Sequence, residues 1–404
     1  MARRRCRSLL LAVALLAPLR ALAAPPPDLA AYREIDRLFD RYEWSAAEAK
    51  IDEAQRRFTG TTTQWTWGFG IERAITLIAA RKIPEARAIL DAPPPPKFAN
   101  SEPAVKGAIW RALLLARDGA RGADVACASV FGQAKARFPR LQAEAALACA
   151  NVAFYQNDPA AQLRWSRESL RQARAHGQHL REILARISLG TGLAKQEHSD
   201  EAIAIYERAL LEARTAKVDA FVAKVAVSLA WQYLAVGQYD RADDAAAEGY
   251  AAAVRAGVPH DVILSLIHRG NAQYYLGNLA AAAQWYRQAY AIAKNSGDSQ
   301  TGMIAANLGA VALLANDFPS ARRYNDEALI WKRKAHDAEA ELHSLLLDGR
   351  IALGMKQLGE AERPLKRVIA ETKSKALRWE AQTRLAQVYA ATGRHALADA
   401  EFQR

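Results

Sequence analysis

A column of alanines returns along this chain at a nearly fixed interval, and no other feature restricts its fold as much. From Ala202 the column continues at Ala242, Ala282, Ala321, Ala361 and Ala398, in steps of 40, 40, 39, 40 and 37 residues. The defining unit is residues 189–210, LGTGLAKQEHSDEAIAIYERAL, which reads as two short amphipathic helices around a turn. Leu189, Gly190 and Leu193 share one face of the first helix. Ser199 and Asp200 are placed to offer a side-chain oxygen at the start of the second, with Glu201 in its first turn, where the helix dipole favours a carboxylate. Ala202, Tyr206 and Ala209 then follow at i, i+4 and i+7 on one stripe. Gly190, Ala202 and Ala209 let two helices approach closely, and Tyr206 fills the space they leave. A helix pair this short cannot bury its stripe alone, so it must belong to a stack.

The rest of the unit recurs with the alanines. Gly237, Gly277, Asn316, Gly359 and Gly393 mark the turns. The small residue of the first helix returns as Ala230, Gly270, Gly309, Gly349 and Ala386. The large residue of the second returns as Tyr286, Leu365 and Phe402, while Ala246 and Asn325 break that column. Kept over six units, the pattern resembles the tetratricopeptide repeat, a helix–turn–helix of about 34 residues with a leucine–glycine pair, a tyrosine, and alanines around a large aromatic. A unit near 40 adds about three residues per helix, close to one further turn. The expectation is an all-α chain folded as a right-handed α-solenoid. No long stretch of alternating β-branched residues argues for strands.

Residues 1–24 read as a targeting segment. Arg3, Arg4, Arg5 and Arg7 precede an apolar run over 9–19, and Ala21-Leu22-Ala23 is an A-x-A cleavage site. Pro18 and Arg20 keep the run short of the about 20 apolar residues a membrane span requires. The expectation is a cleaved signal peptide, a periplasmic or secreted bacterial protein, and no membrane span after cleavage. The segment carries five arginines and no acid, so the net charge of +12 falls to +7 without it. The remaining basic residues alternate with acids, as on solvated helix faces. The one dense run, Trp331-Lys332-Arg333-Lys334, sits at a helix end where cations complement the dipole. Nucleic acid is not expected as a partner.

Residues 25–182 keep the hairpin pattern without the alanine columns, and Gln162 stands where an alanine belongs. They read as degenerate repeats or a capping region. The regular repeats occupy 183–404. Their last helix, from about residue 396, is half the usual length, which suggests an incomplete unit and a chain continuing past Arg404. Cys127 and Cys149 stand at equal distances from the turn at Phe138-Pro139. A disulfide is open to them in an exported protein, but the pair is read here as two small buried thiols.

Nothing in the chain forms a catalytic constellation. No HExxH is present, and the GxG fragments at 68–70 and 190–192 lie inside helical patterns with no strand before them. His176 and His179 flank a loop and make a poor metal site. Neither a catalytic residue, a cofactor nor a metal is therefore expected. The useful surface is the concave face lined by the first helices. Stepping along the repeat register places Lys224, Trp231, His268, Asn271, Tyr274, Asn307, Arg350, Arg384 and Gln387 on it. Amides there suit a peptide backbone, aromatics an apolar side chain, and arginines a carboxylate.

A second resemblance covers the whole mature chain. The tryptophan-rich QWTWGFGIERAITLIAARK, the proline run after it, NLGAVALLANDFPSARRYNDEAL, and RWEAQTRLAQVYAATGRHALADAEF are similar to the N-terminal array of bacterial tetratricopeptide–CHAT proteins. In that family the array precedes a caspase-like cysteine peptidase domain, so the resemblance implies a sensing or partner-binding part and carries no catalytic residue over to this sequence. Two readings follow. One is a non-catalytic scaffold holding a protein or peptide in its groove. The alternative is the regulatory array of a larger protein whose CHAT domain lies beyond Arg404. A cytoplasmic signalling array is disfavoured by the signal segment.

Overall fold

Of the sixteen described residues with left-handed backbone, ten punctuate the chain at near-equal intervals: Tyr42, Arg81, Gly119, Asn157, Glu197, Gly237, Gly277, Asn316, Lys356 and Gly393. Their spacings are 39, 38, 38, 40, 40, 40, 39, 40 and 37 residues. At each one the next amide bonds back five residues, as His198 to the Leu193 carbonyl and Gln238 to the Tyr233 carbonyl. This satisfies the orphan carbonyls at a helix end and reverses the chain. The recurring turn starts at residue 42, so residues 25–182 carry the same hairpin geometry as the rest. Two expectations are corrected here. Lys356 rather than Gly359 makes its turn, Gly359 lying inside the following helix. The second helix at 199 is capped at His198 without a side-chain hydrogen bond, because the backbone closure already sets the chain's direction.

The computed structural model describes residues 24–334 and 337–403, with side chains to Glu401. Residues 1–23 of the expected signal segment and the Phe402 side chain lie outside them. The first hairpins are α1 (Pro27–Asp40) with α2 (Trp44–Arg57), α3 (Gln64–Ala79) with α4 (Ile83–Leu90), and α5 (Glu102–Arg117) with α6 (Ala123–Arg137). Next come α7 (Gln142–Tyr155) with α8 (Pro159–Ala175), α9 (His179–Lys195) with α10 (Ser199–Ala216), and α11 (Asp219–Ala235) with α12 (Tyr239–Ala256). The last are α13 (Pro259–Tyr275) with α14 (Leu279–Ser296), α15 (Thr301–Leu314) with α16 (Phe318–Lys334), α17 (Ala338–Gly354) with α18 (Leu358–Glu371), and α19 (Lys375–Ala391) with α20 (His395–Gln403). No strand occurs among the described residues.

The alanine column is the seam of this stack. Ala202, Ala242, Ala282, Ala321 and Ala361 are wholly buried. Glycine in the facing column is a matter of space: a Cβ on Gly270 would lie 2.4 Å from the Tyr286 ring, and one on Gly190 2.7 Å from Tyr206. Where polar residues break the columns they are bonded. Asn325 donates to the Ser344 carbonyl at 3.0 Å and Gln162 to the Ser188 carbonyl at 3.1 Å. Consecutive helices pack together, and odd-numbered helices from α1 to α13 and α15 to α19 also touch the next odd one. The odd helices thus form an inner layer and the even ones an outer layer. The fold is an all-α solenoid.

Its curvature brings the start of the chain back onto the middle. The Tyr42 ring lies edge-on to Phe221 of α11 at 5.0 Å. Arg81, in the α3–α4 turn, lies 3.6 Å from Asp298 and 3.3 Å from His260 Nδ1. Cys127 and Cys149 form a disulfide, which corrects the reading of two thiols. Antiparallel α6 and α7 set the two Cα atoms 5.5 Å apart with the side chains facing. In the basic run, Lys332 donates to Ser344 Oγ at 2.8 Å and Arg333 pairs with Glu341 at 3.2 Å. No helix among the described residues is long and apolar enough to cross a membrane.

Candidate functional site

The inner helices diverge enough to leave a continuous cleft in three sections. The innermost, about 140 Å³, lies against Phe39, Tyr42, Trp44 and Trp110. The middle section, about 500 Å³, adds Arg117, Phe154, Tyr155, Gln162 and Lys224. The outer section, about 540 Å³, is walled by Phe154, Lys195, Trp231, Gln232 and His268. Trp110 and Leu184 are shared by the first two, and Phe154, Thr191 and Ser228 by the last two.

The floor of the innermost section is ionic and internally matched. Lys106, 2% exposed, pairs with Asp36 and, at 2.9 Å, with Glu72, tying α1, α3 and α5 together. Burial pushes the Glu72 carboxyl up to about 7, against the pull of Lys106. At Asp36 burial also raises, but Lys106 and Arg33 outweigh it and hold the group below its ordinary value. Arg181 bridges Asp40 at 2.8 Å and Glu144 at 3.1 Å, and Trp110 Nε1 donates to Glu144 at 3.1 Å. These contacts hold the inner helices in place.

The middle and outer sections differ, because their polar groups are left open. Lys224 is half-buried, and its ammonium makes no ion pair or hydrogen bond among the described residues. Neighbouring Tyr42, and more weakly Asp261, keep it charged against burial. Arg117 is exposed and also has no ion pair there. Lys195 lies 3.8 Å over the Phe154 ring and donates to that residue's carbonyl at 3.4 Å. His268 is only 7% exposed, yet its Nδ1 has no partner, and burial pushes its pKa down to about 4. The neutral ring lies 5.8 Å from that of Trp231, which is 58% exposed. Gln162 is buried with Oε1 unpartnered among the described residues, and Gln232 is buried in the wall. Buried polar groups normally have partners, so the two unmatched atoms, Gln162 Oε1 and His268 Nδ1, are candidates for a ligand's hydrogen bonds. Two cleft hydroxyls are already bonded: Ser228 Oγ donates to the Lys224 carbonyl at 3.1 Å, and Thr191 meets Tyr206 at 3.0 Å. No group of metal-ligating side chains occurs among the described residues.

Of the residues expected on the concave face, the cleft brings together Lys224, Trp231 and His268. The others are engaged within the protein. Asn271 Oδ1 accepts from the Tyr286 hydroxyl at 2.6 Å and from Asn307 Nδ2 at 3.5 Å. Tyr274 packs against the core and edge-on to Tyr275 at 5.4 Å. Arg350 pairs with Glu380 at 3.3 Å, and Arg384 donates to Gln387 at 3.3 Å. Sequence reasoning missed Trp110, Arg117, Phe154, Tyr155, Gln162 and Gln232. All but Gln232 belong to the early units, where the columns that gave the register are missing. The adjacent aromatics Phe154-Tyr155, both exposed just before a turn, were the available signal.

No protein-family profile and no curated protein matches this sequence. Solved structures do resemble it. The apo form of the quorum sensor NprR from B. thuringiensis is 13% identical with a TM-score of 0.56, over 93% of this chain and 96% of its own. Aspartyl phosphate phosphatase F from Bacillus subtilis is 12% identical, TM-score 0.52, over 94% and 93%. PH0952 from Pyrococcus horikoshii, a signal transduction ATPase with a tetratricopeptide repeat sensor, is 14% identical, TM-score 0.51, over 95% of this chain and 52% of its own. At such identities the likeness is one of fold: the chain is a tetratricopeptide-type α-solenoid.

Proposed function

We propose that this protein is a non-catalytic scaffold that binds a protein or peptide partner in the cleft along its odd-numbered helices. The observation that carries the reading is the pair of buried atoms without a hydrogen-bond partner among the described residues, Gln162 Oε1 and His268 Nδ1, beside the exposed Trp231. An extended peptide offers amides to the first two and side chains to the last. The similar folds of a quorum sensor and of a repeat sensor are consistent with it. The N-terminal signal pattern and the Cys127–Cys149 disulfide together favour an oxidising compartment, the periplasm or the exterior. The resemblance to tetratricopeptide–CHAT arrays supports a second reading, in which the same cleft is the sensor of a peptidase whose catalytic domain lies past Arg404. Sequencing beyond codon 404 separates the two: a stop codon favours the scaffold, and an open frame of domain length favours the sensor.

The test places a photo-crosslinking amino acid at Trp231 in the cleft and, as a control, at Val254, which is exposed on the outer layer. In native cells, adducts with one partner are expected from position 231 and not from 254. Adducts confined to 254 would overturn the assignment of the cleft.

A further inference from the structure

Every charge on the floor of the innermost section has an opposite beside it, yet the carboxylates outnumber the cations. Lys106 is shared by Asp36 and Glu72, Arg181 by Asp40 and Glu144, and Arg33 by Asp36 and Glu102. Five carboxylates therefore stand against three cations, and all but Asp40 are less than 9% exposed. Burial, with Glu144 and Asp36 adding to it, raises the Asp40 carboxyl, just as burial and Asp36 raise Glu72. One acceptor is also left over. Glu144 is 8% exposed, and its Oε1 accepts from Trp110. Its buried Oε2 has no hydrogen-bond partner among the described residues, Arg181 standing 3.1 Å away without the alignment of a bond. Arg181 Nε, buried and also open, is a donor that water or a ligand carbonyl can satisfy. Glu144 and Asp40 line the cavity together with Phe39, Tyr42, Trp44 and Trp110. The Tyr42 and Phe39 rings lie 5.2 and 5.5 Å from that of Trp44. Aromatic faces attract a cation within about 6 Å, and the Lys106 ammonium already lies 5.3 Å from the Phe39 ring centre. Lys224 lines the adjoining section and not this one.

We propose that the innermost section is a binding pocket for an alkylammonium group, with Glu144 and Asp40 accepting from its nitrogen and Tyr42, Trp44 and Trp110 around its apolar stem. The inference goes beyond the reading above and rests on it only where the stem is a lysine side chain of the bound peptide. Size fits the group. The cavity of about 140 Å³ is close to the roughly 150 Å³ of an apolar cavity that takes benzene. It therefore holds about six heavy atoms, enough for the four methylenes and the nitrogen of a lysine. Charge and donors fit as well. An ammonium offsets the surplus of buried carboxylate and gives Glu144 Oε2 a charge-assisted hydrogen bond, the stronger kind. A quaternary ammonium has no N–H to give that oxygen, and a neutral alcohol leaves the surplus charge uncompensated. No group of metal-ligating side chains stands there among the described residues.

The experiment follows the tryptophan indole N–H resonances of the purified full protein by NMR, with Trp110 and Trp231 assigned through Trp110→Phe and Trp231→Phe. n-Butylammonium, butan-1-ol and tetramethylammonium are titrated separately at constant ionic strength. Butylammonium is expected to shift the Trp110 indole saturably and to leave Trp231 in place, with the other two compounds binding at least about tenfold more weakly. Glu144→Gln, checked for folding by circular dichroism, should weaken butylammonium by about the same factor. If that variant does not fold, the comparison of butylammonium with butan-1-ol in the wild type decides. The source of the ammonium is read from a capped pentapeptide with a central lysine and its norleucine twin. Lysine peptide bound more tightly than butylammonium, with the norleucine peptide silent, assigns the pocket to a peptide side chain. Butylammonium bound and both peptides excluded assigns it to a free small amine. An unmoved Trp110 indole, or butan-1-ol or tetramethylammonium binding as well as butylammonium, would overturn this inference and leave the peptide reading standing. Adducts confined to position 254 with butylammonium still bound would sink that reading and spare this one.

Discussion

Replacing Lys106 with methionine should loosen the first three hairpins and leave the last hairpins of the solenoid unchanged. Lys106 is 2% exposed and serves two carboxylates, Asp36 on α1 and Glu72 on α3. Methionine fills most of the stem's volume, so the loss is electrostatic rather than a cavity. Removing one partner of a buried ion pair destabilises by about 3–5 kcal/mol, because the other partner is left charged and unpaired. In a solenoid each unit packs chiefly on its neighbours, and these hairpins return to the middle through Tyr42, Arg81 and the Asp40–Arg181 pair, so the effect should fade toward the last hairpins. Amide hydrogen exchange read by mass spectrometry should accelerate about 10²- to 10³-fold in α1, α3 and α5, at about 1.4 kcal/mol per decade, with α17 and α19 unaltered. The loss also depends on pH. Glu72 in the wild type titrates near 7, above its ordinary 4.5, and without Lys106 it rises further. The folded state then binds a proton that the unfolded state releases, so stability is highest below about 4.5 and falls as pH rises through the folded value. The variant should therefore be most damaged at pH 8 and least at pH 5, and Glu72→Gln added to it should restore much of the protection at pH 8. Equal loss at both pH values, or unchanged exchange in α1–α5, would refute the role given to this cluster.

Three further outcomes are expected. Gly270→Val drives its side chain into the Tyr286 ring, which a Cβ alone would meet at 2.4 Å; overpacking of about 1–3 kcal/mol should lower the melting temperature, and an unchanged melt would refute the close approach of α13 and α14. Cys149→Ser opens a disulfide closing 22 residues, with a loss of about 3 kcal/mol; reductant should reproduce its faster exchange in α6 and α7 in the wild type and add nothing in the variant. His268 is held near pKa 4 by burial, so the folded state binds fewer protons than the unfolded one between there and 6.5, and stability is lost as pH falls through that range; an imidazole NMR titration midpoint near 6.5 would show that the ring is not in the buried wall.

Where the chain repeats, its structure was legible. Ala202, Ala242, Ala282, Ala321 and Ala361 were read as one seam and are one seam, because close helix contact leaves no room for anything larger. The helix pairs place the turns near Tyr42, Arg81 and Glu197 without naming the residue that makes them, and the glycine marker misplaces one, at Gly359 instead of Lys356, because these non-glycine residues adopt the same left-handed backbone. These residues are strained there individually, and the closing hydrogen bond that compensates leaves no mark on composition. The cleft was legible only in part. Lys224, Trp231 and His268 follow from the register, whereas Asn271 and Asn307 satisfy that register and yet bond to each other and to Tyr286. Trp110 and Gln162 enter the cleft from units whose columns have decayed. The return of Tyr42 onto Phe221 depends on curvature accumulated over several units, which no local pattern encodes.

The most direct test of the account is a structure of this protein with a peptide of its partner bound. The account predicts an extended segment between α5 and α13, its backbone bonded to Gln162 and His268 and a side chain against Trp231. A peptide seated on the even-numbered outer helices, with the cleft holding only water, would contradict it.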